Sequence, residues 1–240
     1  MLFRSNTQQT IEGWAFINKN WNTLKGVPLG DQWTARPLTD IIAEKSALSA
    51  LTAAPVPVVC RVRLTQGAEV GVQTYDVLWA ADAEATLHRF AGWCVRNTPL
   101  THGRKVWDLL TDPRSRAAVE TRERWIKGEA TDDELVEAQH AALNAVTRAQ
   151  GAASKQGNLA IQYAAMAALE VAEAQGSPAK AAREAAWHAI YAAGFAARDA
   201  TGVWGASRPA EATAWHVQNY HLERMLDELG QFARDRKSTR

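Results

Sequence analysis

The stretch from Thr131 to about Ala200 can fold in few ways, because it is built on alanine. Between Pro178 and Ala200, 11 of 23 residues are alanine. Alanine loses no side-chain entropy in a helix and is the strongest helix former, so the block predicts a run of helices. Its first helix opens on Thr131-Asp132-Asp133-Glu134. This is a capping box, in which the threonine hydroxyl accepts from the glutamate N–H and the glutamate reaches back. Leu135, Gln139, Ala142, Leu143, Val146 and Ala149 follow on one face, and Gly151 is expected to end the helix. A middle helix covers Asn158 to Ala174. Ser177-Pro178 starts the third, with a cap residue and a proline at the first helical position. The small side chains allow close approach of helix axes. The bulky residues of the third helix, Trp187, Ile190, Tyr191 and Phe195, form a stripe expected to be buried.

Upstream the texture changes near residue 80. Residues 1–38 hold Trp14, Phe16, Trp21 and Trp33 among Asn, Gly and Pro, and read as an irregular layer pinned by its aromatics. Trp33 is the aromatic most readily offered to a partner. A short helix is expected from Thr39 to Thr52. Val58, Cys60, Val62 and Leu64 then alternate with Arg61 and Arg63, as in a strand. A return through Val70–Val72 or through Tyr75–Trp79 predicts a small antiparallel sheet. The arginine pair could grip phosphates or acidic partners, but fits better the solvated face of an edge strand.

Downstream, Asp82 is placed to cap a helix to Arg96, and Lys105–Leu110 is a short helix. Asp112-Pro113 opens a helix that stops near Lys127-Gly128. Pro209 opens the last helix, striped by Trp215, Leu222, Leu226, Leu229 and Phe232. Its tail is basic. The expected fold is therefore mostly α, of α+β class. A mixed α/β region at 1–80 carries the small antiparallel β element, and residues 81–240 form an alanine-rich helical bundle.

Charge and cysteines narrow the function classes. With 27 basic and 26 acidic residues, the net charge of +1 gives no global pull toward nucleic acid or anionic membrane. No apolar run is long enough to span a bilayer. Cys60 and Cys94 stand alone, with neither metal nor disulfide spacing, and suit free thiols in a reducing compartment. The N-terminal residues lack an apolar core of the signal-peptide kind. The expected setting is cytoplasmic.

No catalytic motif is present. The six histidines form no H-E-x-x-H, and there is no Walker A, dinucleotide fingerprint or nucleophile elbow. No metal, cofactor or catalytic residue is expected. His188 beside Tyr191 is the best candidate for a ligand contact among the helices, and His88, His140 and His188 could converge only through the tertiary fold. The carboxylates from Glu120 to Glu137 read as caps and solvated helix faces, and the interleaved Arg114, Arg116, Arg122 and Arg124 make the region mixed in charge rather than a basic patch. Ten tryptophans are many for such a chain. Most are expected in the core, with Trp204, in the loop Gly202–Ala206, offered to a partner.

Leu87-His88-Arg89-Phe90-Ala91-Gly92-Trp93-Cys94, then Asp112-Pro113-Arg114, then Lys127-Gly128-Glu129-Ala130-Thr131-Asp132 resemble a loose group of alanine-rich bacterial and prophage proteins. Some of that group are labelled immunity proteins. The resemblance covers roughly residues 85–200 and brings no catalytic residues. It implies a phage or prophage inhibitor that occludes a partner protein, either a toxin or a host defence component. Two alternatives stand beside it. One is an enzyme or small-ligand binder among the alanine-rich helices, using His188 and Tyr191. The other is a nucleic-acid binder using Arg61, Arg63 and the tail, disfavoured by the balanced charge. Apolar helical stripes also suit a homodimer.

Overall fold

The computed structural model describes residues 10–17, 46–53, 57–66, 73–156, 158–173 and 176–238. Among them the fold is mostly helical, with a small antiparallel sheet. Strands β1 (Thr10–Ile17), β2 (Val58–Gln66) and β3 (Gln73–Asp82) lie in that order. Two expectations are corrected here. Residues 10–17 form a strand rather than an irregular layer. And β2 is the central strand, not an edge. Trp14 pairs with Arg61 and Arg61 with Trp79, and a bulge between Arg61 and Val62 then shifts the register. Trp33 lies outside the described residues.

Part of the sheet is buried on both faces, although Glu12, Arg63 and Val77 are exposed. Trp14, Ala15 and Phe16 are consecutive and all buried, as are Val58, Val59 and Cys60. Helix α1 (Ala47–Ala53) packs on β1. The first part of the helix expected from Thr39 lies outside the described residues. On the Trp14 face, the Arg61 guanidinium sits 4.6 Å from the Trp14 ring centroid, and Trp79 meets Trp14 edge-on at 5.7 Å. Arg63 donates to Glu12 on β1 at 2.8 Å, and Arg61 approaches the same carboxylate at 3.6 Å. The bond from Arg63 holds the Glu12 carboxyl below its ordinary range. Both arginines are thus engaged within the sheet.

Nine further segments follow among the described residues. They are α2 (Glu84–Asn97), turns at Thr101–Gly103 and Val106–Leu109, α3 (Pro113–Ile126), α4 (Asp132–Gln156), α5 (Leu159–Ala172) and α6 (Pro178–Thr201). A turn at Trp204–Ala206 leads to α7 (Ser207–Ser238). The chain divides into two compact units. One runs from Glu84 to Met225; the other contains the sheet, α1 and the end of α7 from Leu226.

Local chemistry explains some of the helix starts. Asp112 accepts from the Arg114 N–H at 3.0 Å, with Pro113 at the first helical position. The Thr131–Glu134 box closes in both directions, at 2.7 and 3.2 Å. Ser177-Pro178 opens α6, although the serine hydroxyl makes no capping bond. Asp82 ends β3 instead of capping α2, which begins two residues later. Gly151 does not end α4: the helix runs to Gln156. A helical glycine costs only about 1 kcal/mol relative to alanine, and the neighbouring helix formers carry the chain through it.

The bundle core is built from small residues. Ala164, Ala167, Ala168 and Ala172 of α5 and Ala181, Ala182, Ala185, Ala189 and Ala192 of α6 are all essentially inaccessible, and these two helices share the most extensive helix–helix contact. Gln218 of α7 is fully buried and donates to Thr98 Oγ1 and the Ala186 carbonyl. Both cysteines are buried free thiols, and burial pushes the Cys60 thiol up to about 12.

Candidate functional site

Because α6 turns its alanines inward, its large side chains collect on the outer face. Lys180, Glu184, Trp187, Tyr191, Phe195 and Arg198 follow at steps of four, three, four, four and three, one helical stripe. Periodicity predicts a core stripe; Ile190 is buried, but Trp187, Tyr191 and Phe195 are not core, because no helix covers them completely. Tyr191 is 40% exposed, while Trp187 and Phe195 are half-buried.

Neighbouring helices widen the stripe into an aromatic strip. Tyr163 of α5 stacks on Phe195 at 5.2 Å and lies 5.4 Å from Tyr191 and 6.1 Å from His188. Trp187 stacks on Tyr191 at 6.0 Å and meets Trp215 of α7 at 5.6 Å. At the other end, the Arg198 guanidinium lies between two rings, 4.7 Å from Phe195 and 4.8 Å from Trp204. Trp204 is 76% exposed and Val203 beside it 57%. Desolvating a tryptophan on association is strongly favourable, and a guanidinium holding the ring reduces the ordering cost.

The structure therefore joins three of the sequence candidates, His188, Tyr191 and Trp204, along one strip. Arg61 and Arg63 belong to the sheet and do not join them. His188 has Nδ1 buried without a hydrogen-bond partner, and burial lowers its pKa, partly countered by Glu184. It is a neutral packing residue at the edge of the strip. His88 and His140 do not share its surroundings: His88 packs edge-on against Trp125, and His140 lines a groove. Among the described residues no three metal-binding side chains cluster. The tryptophans also depart from expectation, since of those described only Trp14 and Trp79 are buried.

A groove of about 420 Å³ lies between α4, α5 and the start of α6. Val136, Leu143 and Leu169 supply apolar wall; Gln139, His140, Glu170, Glu173 and Lys180 supply polar atoms. Lys180 pairs with Glu173 at 3.6 Å. Burial, and then the charges of Glu173 and Glu184, push the Glu170 carboxyl up to about 7. Sequence reasoning missed Glu170, which reads locally as an ordinary polar position of an amphipathic helix.

The raised pKa has a stability consequence. Below about pH 4.3 Glu170 is protonated in both folded and unfolded chains. As pH rises toward 7, the unfolded chain ionises first, so the contribution of Glu170 to stability is lost. Glu170→Gln is expected to remove that loss. Urea midpoints of variant and wild type, measured from pH 4.5 to 8, should diverge in favour of the variant as pH rises; a constant gap would show that Glu170 ionises normally.

Comparison with protein-family models, curated proteins and solved structures found no match. No helix among the described residues is long and apolar enough to cross a membrane.

Proposed function

We propose that this chain is a protein-binding module that acts by covering a surface of a partner protein. The observation that carries the reading is the α6 strip, ending in the exposed Trp204 clasped by Arg198. Tryptophan, tyrosine and arginine are the residues that dominate binding energy at interfaces. The pairs Arg183–Glu184 and Arg198–Asp199 give the strip a polar rim. The resemblance to immunity-labelled prophage proteins supplies the kind of partner: a toxin or a host defence component, neutralised by occlusion.

The test is affinity capture from lysate of the encoding organism, with nuclease present, read by mass spectrometry. One stoichiometric protein is expected. Trp204→Ala should weaken its retention at least tenfold, the effect of truncating an interface hot spot. Retention unchanged by Trp204→Ala and by Tyr191→Ala would sink the assignment to this strip. Capture abolished by nuclease would point to nucleic acid instead.

A further inference from the structure

A second groove, of about 300 Å³, opens where the start of α3 meets α4 and α5. Its size is at the small end of ligand-binding cavities. The walls are aliphatic: Leu109 and Leu110 ahead of α3, Ala145 and Ala149 of α4, and Ile161 and Ala165 of α5. Four polar side chains line the same space, Thr111, Asp112, Ser115 and Arg148. Apolar walls with a few convergent polar groups are the usual make-up of a small-molecule site.

Two of those polar groups are unspent. Ser115 is 1% exposed, and its Oγ makes no hydrogen bond to the described residues. A helical serine can satisfy itself on the carbonyl four residues back, here Thr111, but that bond does not form. An enclosed hydroxyl without a partner is costly, and a polar atom entering the groove would give it one. Arg148 is exposed, and among the described residues it has neither a hydrogen bond nor an ion pair. The nearby carboxylate is already taken. Arg114 donates to both oxygens of Asp112, at 2.9 and 2.5 Å. Chiefly through that bond, with a smaller part from the charge of Arg148, the Asp112 carboxyl is held down to about 2. Two arginines against one carboxylate leave a single positive charge without a counterion.

We propose that this groove binds a small carboxylic acid in its ionised form. The Arg148 fork takes the carboxylate. The apolar body lies along the leucine and alanine walls, and the Ser115 hydroxyl donates to the ligand oxygen that reaches the floor. Charge fixes the class. A cation would meet the uncompensated arginine, since Asp112 is spent on Arg114. A dianion such as phosphate would exceed the one free charge and be repelled by the Asp112 carboxylate. A monoanion with an apolar body matches both the charge and the walls. The groove shares no residue with the aromatic strip on α6, so it goes beyond the occlusion reading and stands or falls apart from it.

The probes are hexanoate and benzoate, with hexanamide and benzamide as their uncharged counterparts. Calorimetric titration of the full chain is expected to show one-site binding of at least one acid at millimolar concentration or below. Its amide should bind about tenfold more weakly, for want of the charge-assisted bond. Arg148→Ala, at an exposed position, should cost the acid a similar factor. Ala149→Leu and Ala152→Leu each place a larger side chain in the groove and should abolish binding; Ala152 is exposed, so its variant keeps the test open if the other fails to fold. Ser115→Ala should weaken the acid while leaving the free protein at least as stable, because it removes an unpaired buried hydroxyl. Failure of both acids to bind overturns the proposal. So do amides that bind as tightly as the acids, and acid binding indifferent to Arg148→Ala and to the groove-filling variants.

Discussion

Replacing Arg122 with methionine is expected to destabilise the helical unit by about 3–5 kcal/mol, the cost of removing a buried charge-assisted donor and leaving its acceptors unpaired. Arg122 is 1% exposed, inside a helix whose other arginines reach solvent. Its Nε donates to the Val171 carbonyl at 2.9 Å, and its terminal nitrogen donates to the Glu173 carbonyl. Both belong to the C-terminal end of α5, where carbonyls lack intrahelical partners and the helix dipole is negative. One planar guanidinium therefore terminates a helix from a different helix. The Trp125 ring, 4.7 Å away, covers the guanidinium. Burial lowers the Arg122 pKa to about 10, so the group remains charged at neutral pH. Methionine keeps much of the volume and loses both bonds. Lysine keeps the charge but offers a single donor atom and should recover less than half of the loss. Urea unfolding of the three proteins decides it: a methionine variant with the wild-type midpoint would show that α5 is held by alanine packing alone.

Arg122 marks the boundary of what the sequence made legible. Features of one or a few adjacent residues were readable. The Thr131–Glu134 box and the Asp112 cap work through contacts within four residues, and both are formed. Nothing local sets Arg122 apart from Arg114, Arg116 and Arg124, because the carbonyls that bury it arrive about 50 residues later. Strand β1 escaped for a different reason. Period-two alternation appears only when one face of a sheet meets water, and here Trp14, Ala15 and Phe16 are all buried. The α6 stripe was visible as a face, but periodicity reports which residues share a side, not whether another helix covers them. Hence Trp187, Tyr191 and Phe195 read as core, while in the fold they border solvent. Among the candidate site residues, those on α6 and just after it came together because they share one helix and its exit. Glu170 needed α4 and α6 to create its environment.

Gly230→Ala is expected to destabilise the sheet-containing unit by about 1–3 kcal/mol, the cost of overpacking a filled core. Helix propensity argues the other way, since alanine in a helix interior is favoured over glycine by about 1 kcal/mol. The two effects are separable by geometry. Gly230 is buried within α7, and a Cβ built there falls inside the van der Waals envelope of the Trp79 indole. The indole has little room to retreat. It is 5% exposed and meets Trp14 edge-on at 5.7 Å, and Trp14 is itself 1% exposed beneath the Arg61 guanidinium. Relief therefore requires the helix to lift from the sheet, forfeiting the burial of both tryptophans. Trp79→Phe in the same chain removes the indole atoms nearest that Cβ. The double variant should accordingly be more stable than the sum of the single changes, a coupling expected only for groups in contact. Thermal unfolding followed by tryptophan fluorescence measures all four proteins. A Gly230→Ala chain that melts higher than wild type would mean that propensity wins. The close approach of α7 to Trp79 would then not be what holds the last helix on the sheet.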